Sequence, residues 1–272
     1  MKSILSSEPG SLRCLTGLGF NSLEPGLPSW VRNLEARPEI AALNYELTRF
    51  DLYDLYDSAS STKATTSIQN HSLSVEGVFV DKTQRVGKAV QHRGWEHVHE
   101  MLQNWLDMAE VDMSSVTSQA LFSRPKARSF WRTIVGDPLI ESEQSCRRLV
   151  QKDMEALRCW LSSLLESKSA GTNPPMGPLI WSMLPVIYGR AMFLTQQGHI
   201  GMCYPDSRIG DEVWVLHGGK VPFVLRQIQE HDRRIALGMP GYVFVGDCYL
   251  DRFMDGEAIQ DGRSRRQSLL IQ

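Results

Sequence analysis

Residues 189–204 read GRAMFLTQQGHIGMCY, and this stretch decides the fold class. Two apolar runs, Arg190–Thr195 and His199–Tyr204, flank the short polar segment Gln196–Gly198. Apolar runs joined by a glycine-containing turn of this length are typical of a β-hairpin. The sequence therefore predicts two antiparallel strands here.

The same period of two continues toward the C-terminus. Asp211–His217 and Val221–Ile228 form a second predicted pair of strands around the turn Gly218-Gly219. Tyr242–Leu250 has the same alternation and is predicted to be a further strand. These segments together predict a compact antiparallel β module.

Upstream, the period of the apolar residues changes twice. Leu73–Asp81 alternates apolar and polar residues and is rich in valine, which indicates a strand with Gly77 at a bulge. Apolar residues then recur at helical spacing over three segments, Trp95–Met108, Ser118–Ile134 and Glu143–Glu166. We therefore expect the helices to be confined mainly to residues 95–167.

The predicted fold class is α+β, with an antiparallel β module, barrel-like or a curled sheet, and a helical insertion of about three helices. The length of 272 residues fits one domain, residues 1–272. Its predicted sub-regions are an extended and β lead-in, a helical segment, the β module and a polar tail, at 1–90, 91–170, 180–260 and 261–272 respectively. Residues 1–30 are expected to be loosely structured and to dock on the body through Leu27 and Trp30.

Composition excludes several classes of function. The net charge of -2, from 29 basic and 31 acidic residues, excludes nucleic acid as a main partner. The basic cluster at Arg263, Arg265 and Arg266 is interpreted as a solvated end. No secretory signal or membrane-length apolar run occurs in the sequence, so no membrane partner is predicted. Five scattered cysteines without a CxxC pair indicate reduced thiols and a cytoplasmic location.

No motif for a metal or cofactor is complete. His92, His97 and His99 lie within eight residues, but no carboxylate or cysteine completes a zinc pattern around them. No phosphate-binding glycine loop and no nucleophile motif occurs in the sequence. We therefore predict no metal and no cofactor.

Short blocks in the last third of the chain resemble the C-terminal region of fungal heterokaryon-incompatibility (HET) proteins. The blocks are Gly189-Arg190, Phe193-x-Thr195, Gly198-x-Ile200-Gly201, Gly210-Asp211-x-Val213, Leu216-x-Gly218-Gly219, Pro222–Arg226, Gly246–Tyr249 and Met254–Glu257. Upstream, Leu27–Trp30 and Phe130–Thr133 resemble two further recurring blocks of these proteins. Their common order is stronger than any single block.

The sequence departs from the family pattern at one corner of this region. The resemblance implies His and then Gly shortly after Tyr249, where this chain has Asp251 and Arg252. A second departure is Asn33-Leu34 in place of a Pro-Asp-Trp ending. The resemblance also implies an N-terminal effector domain, to which incompatibility signalling is attributed, and the chain is expected to lack it.

Polar side chains on the β module are the candidate site residues. We predict Arg190, Tyr249 and Asp251 as catalytic residues, because donors and carboxylates can converge among apolar walls in a small antiparallel module. The predicted substrate-binding residues are Trp131, Tyr188, His217, Arg226 and Arg252. They would line a pocket between the helices and the β module. The alternative is structural: the arginines would pair with Asp211, Asp247 or Glu257, and the tryptophan would pack in the core.

Two functions of different classes follow from these features. The first is a cofactor-independent enzyme that shapes an apolar terpenoid or polyketide, such as a Diels–Alder-type cyclase in fungal secondary metabolism; this reading comes partly by elimination and partly from the resemblance. The second is a non-catalytic HET-type recognition or regulatory module that binds another protein, either a HET-family protein or a second copy of the chain. An enclosed apolar pocket would favour the enzyme, and an exposed binding surface would favour the module.

Overall fold

The computed structural model describes residues 9–17, 26–31, 40–91, 95–142, 145–172, 177–228, 240–261 and 265–272. The strands in these ranges are β1 (Ser67–Gln69), β2 (Ser72–Ala89), β3 (Pro138–Ser142), β4 (Ser145–Arg148), β5 (Ala191–Thr195), β6 (Ile200–Cys203), β7 (Glu212–Leu216), β8 (Phe223–Gln227), β9 (Gly241–Asp247), β10 (Tyr249–Leu250) and β11 (Arg266–Ile271). The α-helices are α1 (Ile40–Leu52), α2 (Trp95–Ala109), α3 (Ser114–Thr117), α4 (Gln119–Phe122), α5 (Pro125–Val135), α6 (Asp153–Ala170), α7 (Pro178–Ile187) and α8 (Glu257–Gln260). Single turns of 3-10 helix occur at Arg13–Leu15 and Tyr53–Leu55.

The long strand β2 organises the fold, because its 18 residues serve two groups of strands. Its N-terminal part pairs with β11 and β7, and β9 and β8 complete a closed barrel in the order β2-β11-β9-β8-β7. Its C-terminal part pairs with β5, which leads to β6 and β10. These pairs are antiparallel except β11 with β9, which is parallel. The predicted α+β class with a barrel-like β module is confirmed.

The predicted bulge at Gly77 is wrong. Gly77 pairs in regular register with Leu216, and the register shifts later, between Phe79 and Asp81. A Cβ atom at Gly77 would lie 2.8 Å from the carbonyl oxygen of Val215. Glycine is therefore needed here for the close approach of β2 and β7 rather than for an extra residue.

The helices extend beyond the predicted interval, and one predicted helix is shorter. Residues 145–148 form β4, so the helix predicted over Glu143–Glu166 begins only at Asp153. Residues 145–148 pair instead with β3, and the Arg147 guanidinium adds contacts to Glu141 of β3 at 2.9 Å and to Asp153 at 2.7 Å. The helices α1 and α7 both lie outside residues 95–167.

The second half of the predicted polar tail is a strand rather than a solvated end. Leu269, Leu270 and Ile271 of β11 are buried between β2 and β9. Arg266 forms an ion pair with Glu76 of β2. The strand begins with three polar residues, so the composition of the segment does not predict that its three apolar residues are buried.

A continuous apolar core joins the helices to the barrel. Trp105 of α2 and Phe130 of α5 are completely buried in it, and burial of one such side chain stabilises the fold by about 1.5–3 kcal/mol. Trp30 also docks as predicted: it is buried and its indole N–H donates to the His71 carbonyl at 3.2 Å, whereas Leu27 stays 40% exposed. None of the helices described has both the length and the apolar character that crossing a membrane requires.

Candidate functional site

Helix α5 supplies one wall of the candidate site. It begins at Pro125, whose fixed φ suits the first helical position, and ends at Gly136, whose φ of 67° gives the left-handed cap. One face of the helix, including Phe130 and Trp131, is buried. The opposite face turns Arg128, Ser129 and Arg132 toward the rim of the β module.

The facing wall is the turn after β10. Its backbone is fixed by two hydrogen bonds, from the Asp251 N–H to the Ile200 carbonyl at 3.1 Å and from the Phe253 N–H to the Leu250 carbonyl at 3.0 Å. Arg252, at the tip of the turn, has a φ of 72°, in the left-handed region that favours glycine. The chain then enters the short helix α8.

Between these walls lies a cleft of about 380 Å³, which we call the charged cleft. Its lining residues are Ser123, Pro125, Arg128, Ser129, Arg132, Arg148, Tyr249, Asp251, Arg252, Met254, Asp255 and Glu257. Seven of these twelve residues are charged, four arginines and three acids. The cleft therefore has the polar character of a surface that recognises charge.

Asp251 connects the two walls of the cleft. Its carboxylate accepts hydrogen bonds from the Ser129 hydroxyl at 2.7 Å and from the Tyr249 hydroxyl at 3.4 Å. The Arg132 Nε atom lies 3.9 Å from the same carboxylate, whose side chain is only 8% exposed. Burial raises the pKa of Tyr249, and the charges of Asp137 and Asp251 raise it further, so this phenol stays protonated and acts as a donor.

A second ion-pair network closes the floor of the cleft. Asp137, which is buried, lies between Arg132 at 2.5 Å and Arg148 at 2.6 Å. Arg148 also binds Asp255 at 2.9 Å and stacks over the ring of Tyr56 at 4.9 Å. Two of the four cleft arginines are therefore neutralised by the protein itself.

The other two cleft arginines are less engaged. The Arg252 side chain is 65% exposed, and its Nε atom lies 3.9 Å from Asp251 Oδ2. Arg128 is exposed and has no ion pair within the part of the chain that the structure describes. Both guanidinium groups can accept an external anion without first breaking a short internal hydrogen bond.

Arg190, predicted as a catalytic donor, lies inside the module rather than in the charged cleft. Its guanidinium pairs with the Asp247 carboxylate, donates to the Asp247 carbonyl at 2.8 Å and covers the ring of Tyr204 at 3.9 Å. Burial tends to raise the pKa of Asp247, but the charge of Arg190 and hydrogen bonds from Arg190, Tyr53 and Gly17 lower it overall. The residue thus has the contacts of a structural ion pair.

Arg190 and Tyr249 both line a smaller cavity, of about 20 Å³. Arg49 of α1 and Tyr56 also line it. A space of this size holds about one water molecule, so it is far below the volume that an organic substrate needs. The cavity therefore does not bring these two residues together around a substrate.

The remaining predicted binding residues lie in other places. Trp131 is buried, its indole N–H donates to Ser115 at 3.3 Å, and the ring packs against Phe130. The Tyr188 ring packs at 5.1 Å from Tyr45. These contacts are those of core residues, so neither aromatic residue lines the charged cleft.

Arg226 and His217 are also away from the cleft. Arg226 donates to both carboxylate oxygens of Asp211, at 2.8 and 2.9 Å, as the structural alternative predicts. His217 is buried directly after β7. Its backbone N–H donates to the Glu76 carbonyl, and burial lowers the pKa of its ring. The structure thus gathers Tyr249, Asp251 and Arg252 of the predicted set, and the roles assigned to the set stay predictions.

Nine of the twelve cleft residues are not among the predicted site residues. Arg128 and Ser129 lie four and three positions before Arg132, so helical periodicity alone could have grouped the three on the polar face of α5. Arg148 comes from β4, and no local signal connects it with the others. The described residues hold no group of three His, Cys, Asp or Glu side chains suited to a metal ion, and His92 lies outside them.

Comparison with known proteins assigns the C-terminal region. Residues 176–271 match the family model of the Het-6 beta-barrel domain. An 83-residue stretch is 32% identical to heterokaryon incompatibility protein 6, OR allele, of Neurospora crassa, and it covers 30% of this chain and 11% of that protein. The chain thus spans a small part of the length of this relative. No solved structure matches. The predicted resemblance of the C-terminal region to HET proteins is confirmed.

Proposed function

We propose that the protein is a non-catalytic, HET-type recognition module of a fungus, and that it binds another protein through the charged cleft. The single observation that carries the proposal is the composition of this cleft, on a chain whose residues 176–271 match a Het-6 beta-barrel domain. Arginine is enriched where protein interfaces concentrate their binding energy. An open cleft with four arginines suits such a surface.

A cofactor-free cyclase is the second candidate, and the same cleft disfavours it. Pockets for apolar small molecules are lined mainly by hydrophobic and aromatic side chains with few polar groups. Here Met254, Pro125 and the ring of Tyr249 are the apolar exceptions in a lining dominated by charge. Placing a terpenoid or polyketide there would remove water from several charged groups without replacing their hydrogen bonds, which is costly.

The position of Arg190 also weakens the cyclase. A donor that polarises a substrate carbonyl must point to the place where charge develops. Arg190 is 1% exposed, and its hydrogen bonds go to Asp247 and Tyr53. A substrate in the charged cleft would therefore not meet this guanidinium.

Proximity labelling in fungal cells followed by reconstitution tests the proposal. The full chain is compared with a double variant, Arg128→Glu with Arg252→Glu, in which both exposed cleft cations are reversed. The control is Arg85→Glu with Lys88→Glu, which reverses two exposed cations of β2. We expect a labelled protein that is lost with the cleft variant and kept with the control.

The labelled protein is then purified, and its binding to the wild type and to both variants is measured by calorimetry. Binding to the wild type and the control, weakened at least about 10-fold by the cleft variant, supports the recognition module. Equal binding by all three proteins places recognition elsewhere. Turnover of an apolar polyene by the purified chain alone would favour the cyclase.

A further inference from the structure

We infer that the charged cleft recognises an acidic segment of a partner protein, and that Arg252, together with Arg128, binds the carboxylates of this segment. The inference rests on the proposed function and adds the chemistry of the partner. It depends on three observations. These are the backbone conformation of Arg252, the state of the other charges in the cleft, and the size of the cleft.

The backbone of Arg252 is the first observation. Its φ of 72° places an L-residue with a Cβ atom in the left-handed region, where the methylene group is crowded by the following carbonyl. Asparagine and aspartate tolerate this conformation through local hydrogen bonds of their short side chains, and arginine has no such compensation. Strained positions persist where the surrounding structure fixes them, and they are concentrated at functional sites.

The Arg252 side chain contributes little to the stability of the fold. Its Nε atom lies 3.9 Å from Asp251 Oδ2, which is too far for a hydrogen bond, and the side chain is 65% exposed. An ion pair this long, with a largely exposed guanidinium, adds little to the stability of the fold. A strained backbone that presents a solvated guanidinium at the mouth of a cleft indicates that the guanidinium acts on something outside the chain.

The other charges in the cleft are the second observation. Arg132 and Arg148 are held by Asp137 and Asp255. The Asp251 carboxylate is buried and accepts the hydroxyl hydrogens described above. The cleft therefore presents to solvent the two lightly engaged guanidinium groups.

Glu257 is the remaining acid, and the first turn of α5 opposes its effect. Glu257 accepts a hydrogen bond from the Asp255 N–H at 2.8 Å and is half-buried. Ser123 and Pro125 bring the N-terminal turn of α5 to the cleft, and its N-cap residue makes no side-chain capping bond. The N-terminal end of a helix carries a partial positive charge, and in α5 this end lies beside Arg128.

The size of the cleft is the third observation, and it selects a polypeptide over a simple anion. A volume of about 380 Å³ is in the range of sites that bind ligands of many atoms. A single phosphate or carboxylate ion would leave most of it empty. Guanidinium groups bind carboxylates through two parallel hydrogen bonds, so glutamate or aspartate side chains of an extended segment fit the two arginines.

Fluorescence anisotropy with three labelled decapeptides tests the inference. Their sequences alternate serine with glutamate, with glutamine, or with lysine. The glutamate and glutamine peptides have nearly the same shape and differ in charge, and the lysine peptide carries the opposite charge. Each is titrated with the wild-type chain, with Arg252→Gly, with Arg128→Ala and with Arg85→Ala as the control that removes one exposed cation elsewhere. The thermal midpoint of each variant is measured on the same sample.

We expect the glutamate peptide to bind the wild type at least about 10-fold more tightly than the glutamine peptide, and more weakly as salt rises. Arg252→Gly and Arg128→Ala should each weaken it about 5- to 20-fold, and Arg85→Ala should not change it. Arg252→Gly should keep or raise the thermal midpoint, which separates loss of binding from misfolding.

Three results would overturn the inference: equal affinity for the three peptides, preference for the lysine peptide, or displacement of the glutamate peptide by millimolar inorganic phosphate with full recovery of the free signal. None of these results contradicts the proposed function, which is contradicted if the purified partner binds the cleft double variant as tightly as the wild type. A partner that needs the cleft while acidic peptides do not bind leaves the recognition module in place with a different partner chemistry.

Discussion

Arg190 and Asp247 form an ion pair inside the β module, with side chains 2% and 0% exposed. Asp247 lies at the end of β9, and Arg190 precedes β5, so the pair connects the barrel with the strands that extend from it. Tyr53 and Gly17 also donate to the Asp247 carboxylate, the latter at 2.7 Å. Segments that are far apart in the sequence are thus joined at one buried carboxylate.

Removing one partner of this pair should destabilise the fold strongly. Arg190→Ala leaves the Asp247 carboxylate buried without its counter-charge, so we expect the free energy of unfolding to fall by about 3–5 kcal/mol in a denaturant titration. Arg85→Ala, which removes an exposed pair with Glu110, is the control and should change it by less than about 1 kcal/mol. A stable Arg190→Ala variant that loses activity would instead support the catalytic role predicted from the sequence.

Replacing the strained arginine with glycine should stabilise the protein. Arg252→Gly removes the Cβ crowding at a φ of 72°, and we expect a gain of about 0.5–1 kcal/mol. For a chain of this size that gain raises the thermal midpoint by roughly 1–4 °C. Arg252→Ala is the matched control, because it removes the same guanidinium and keeps the Cβ atom. A gain of equal size in both variants would show that charge, and not backbone conformation, is responsible.

His199 should report the charge of the cleft. Burial lowers the pKa of its ring; Asp81 and Asp251 raise it, and Arg252 lowers it. Arg252→Gly should therefore raise the pKa of His199, and Asp251→Asn should lower it, both measured by NMR titration of the imidazole. No change in either variant would mean that the ring does not sense these charges across the turn.

The lowered pKa of His199 also predicts how the free energy of unfolding depends on pH. The pKa of His199 in the folded state is below that of the unfolded chain, about 6.5, so the unfolded state binds more protons in this window. The contribution of His199 to the free energy of unfolding is fully present above pH 6.5 and is lost as the pH falls through the pKa of its folded state. His217 has a lowered pKa as well and acts in the same direction. We expect a smaller fall between pH 7 and pH 5 in His199→Gln than in the wild type.

Gly201 should not tolerate a side chain. A Cβ atom there would lie 2.5 Å from the ring of Phe193 and would also meet the carbonyl oxygen of Tyr249. Gly201→Ala should push β10 away from β6 and lower the free energy of unfolding by about 1–3 kcal/mol. Gly210→Ala is a useful contrast, because no atom lies within 4 Å of the Cβ position and only its φ of 90° opposes the change.

Elements with a local signal could be predicted from the sequence, and elements that depend on distant partners could not. The hairpin of β5 and β6 follows from its own alternation and turn. The strand β11 does not, because its first residues are polar and its partner residues in β2 lie 188 to 198 positions earlier, from Arg266↔Val78 to Ile271↔Leu73. The predicted helix near 143–152 failed for a different reason: residues 145–148 pair with β3, a partner just before them in the chain, and their apolar spacing does not show it.

The candidate site divides in the same way. Tyr249, Asp251 and Arg252 were predicted because they are neighbours in a stretch where the sequence departs from the family pattern. Arg148 was missed because more than a hundred residues separate it from Asp255, its partner in the cleft. Arg190 was predicted as a donor because sequence alone does not tell a free arginine from one that pairs with Asp247.

The place of β11 also bears on how the chain folds during synthesis. The barrel is closed by residues 266–271, which lie between β2 and β9. While the ribosome is still adding these residues, β2 and β9 expose unpaired edges that can template pairing with other chains. The barrel can close only after this strand leaves the exit tunnel, and until then these two edges stay open to pairing with other chains.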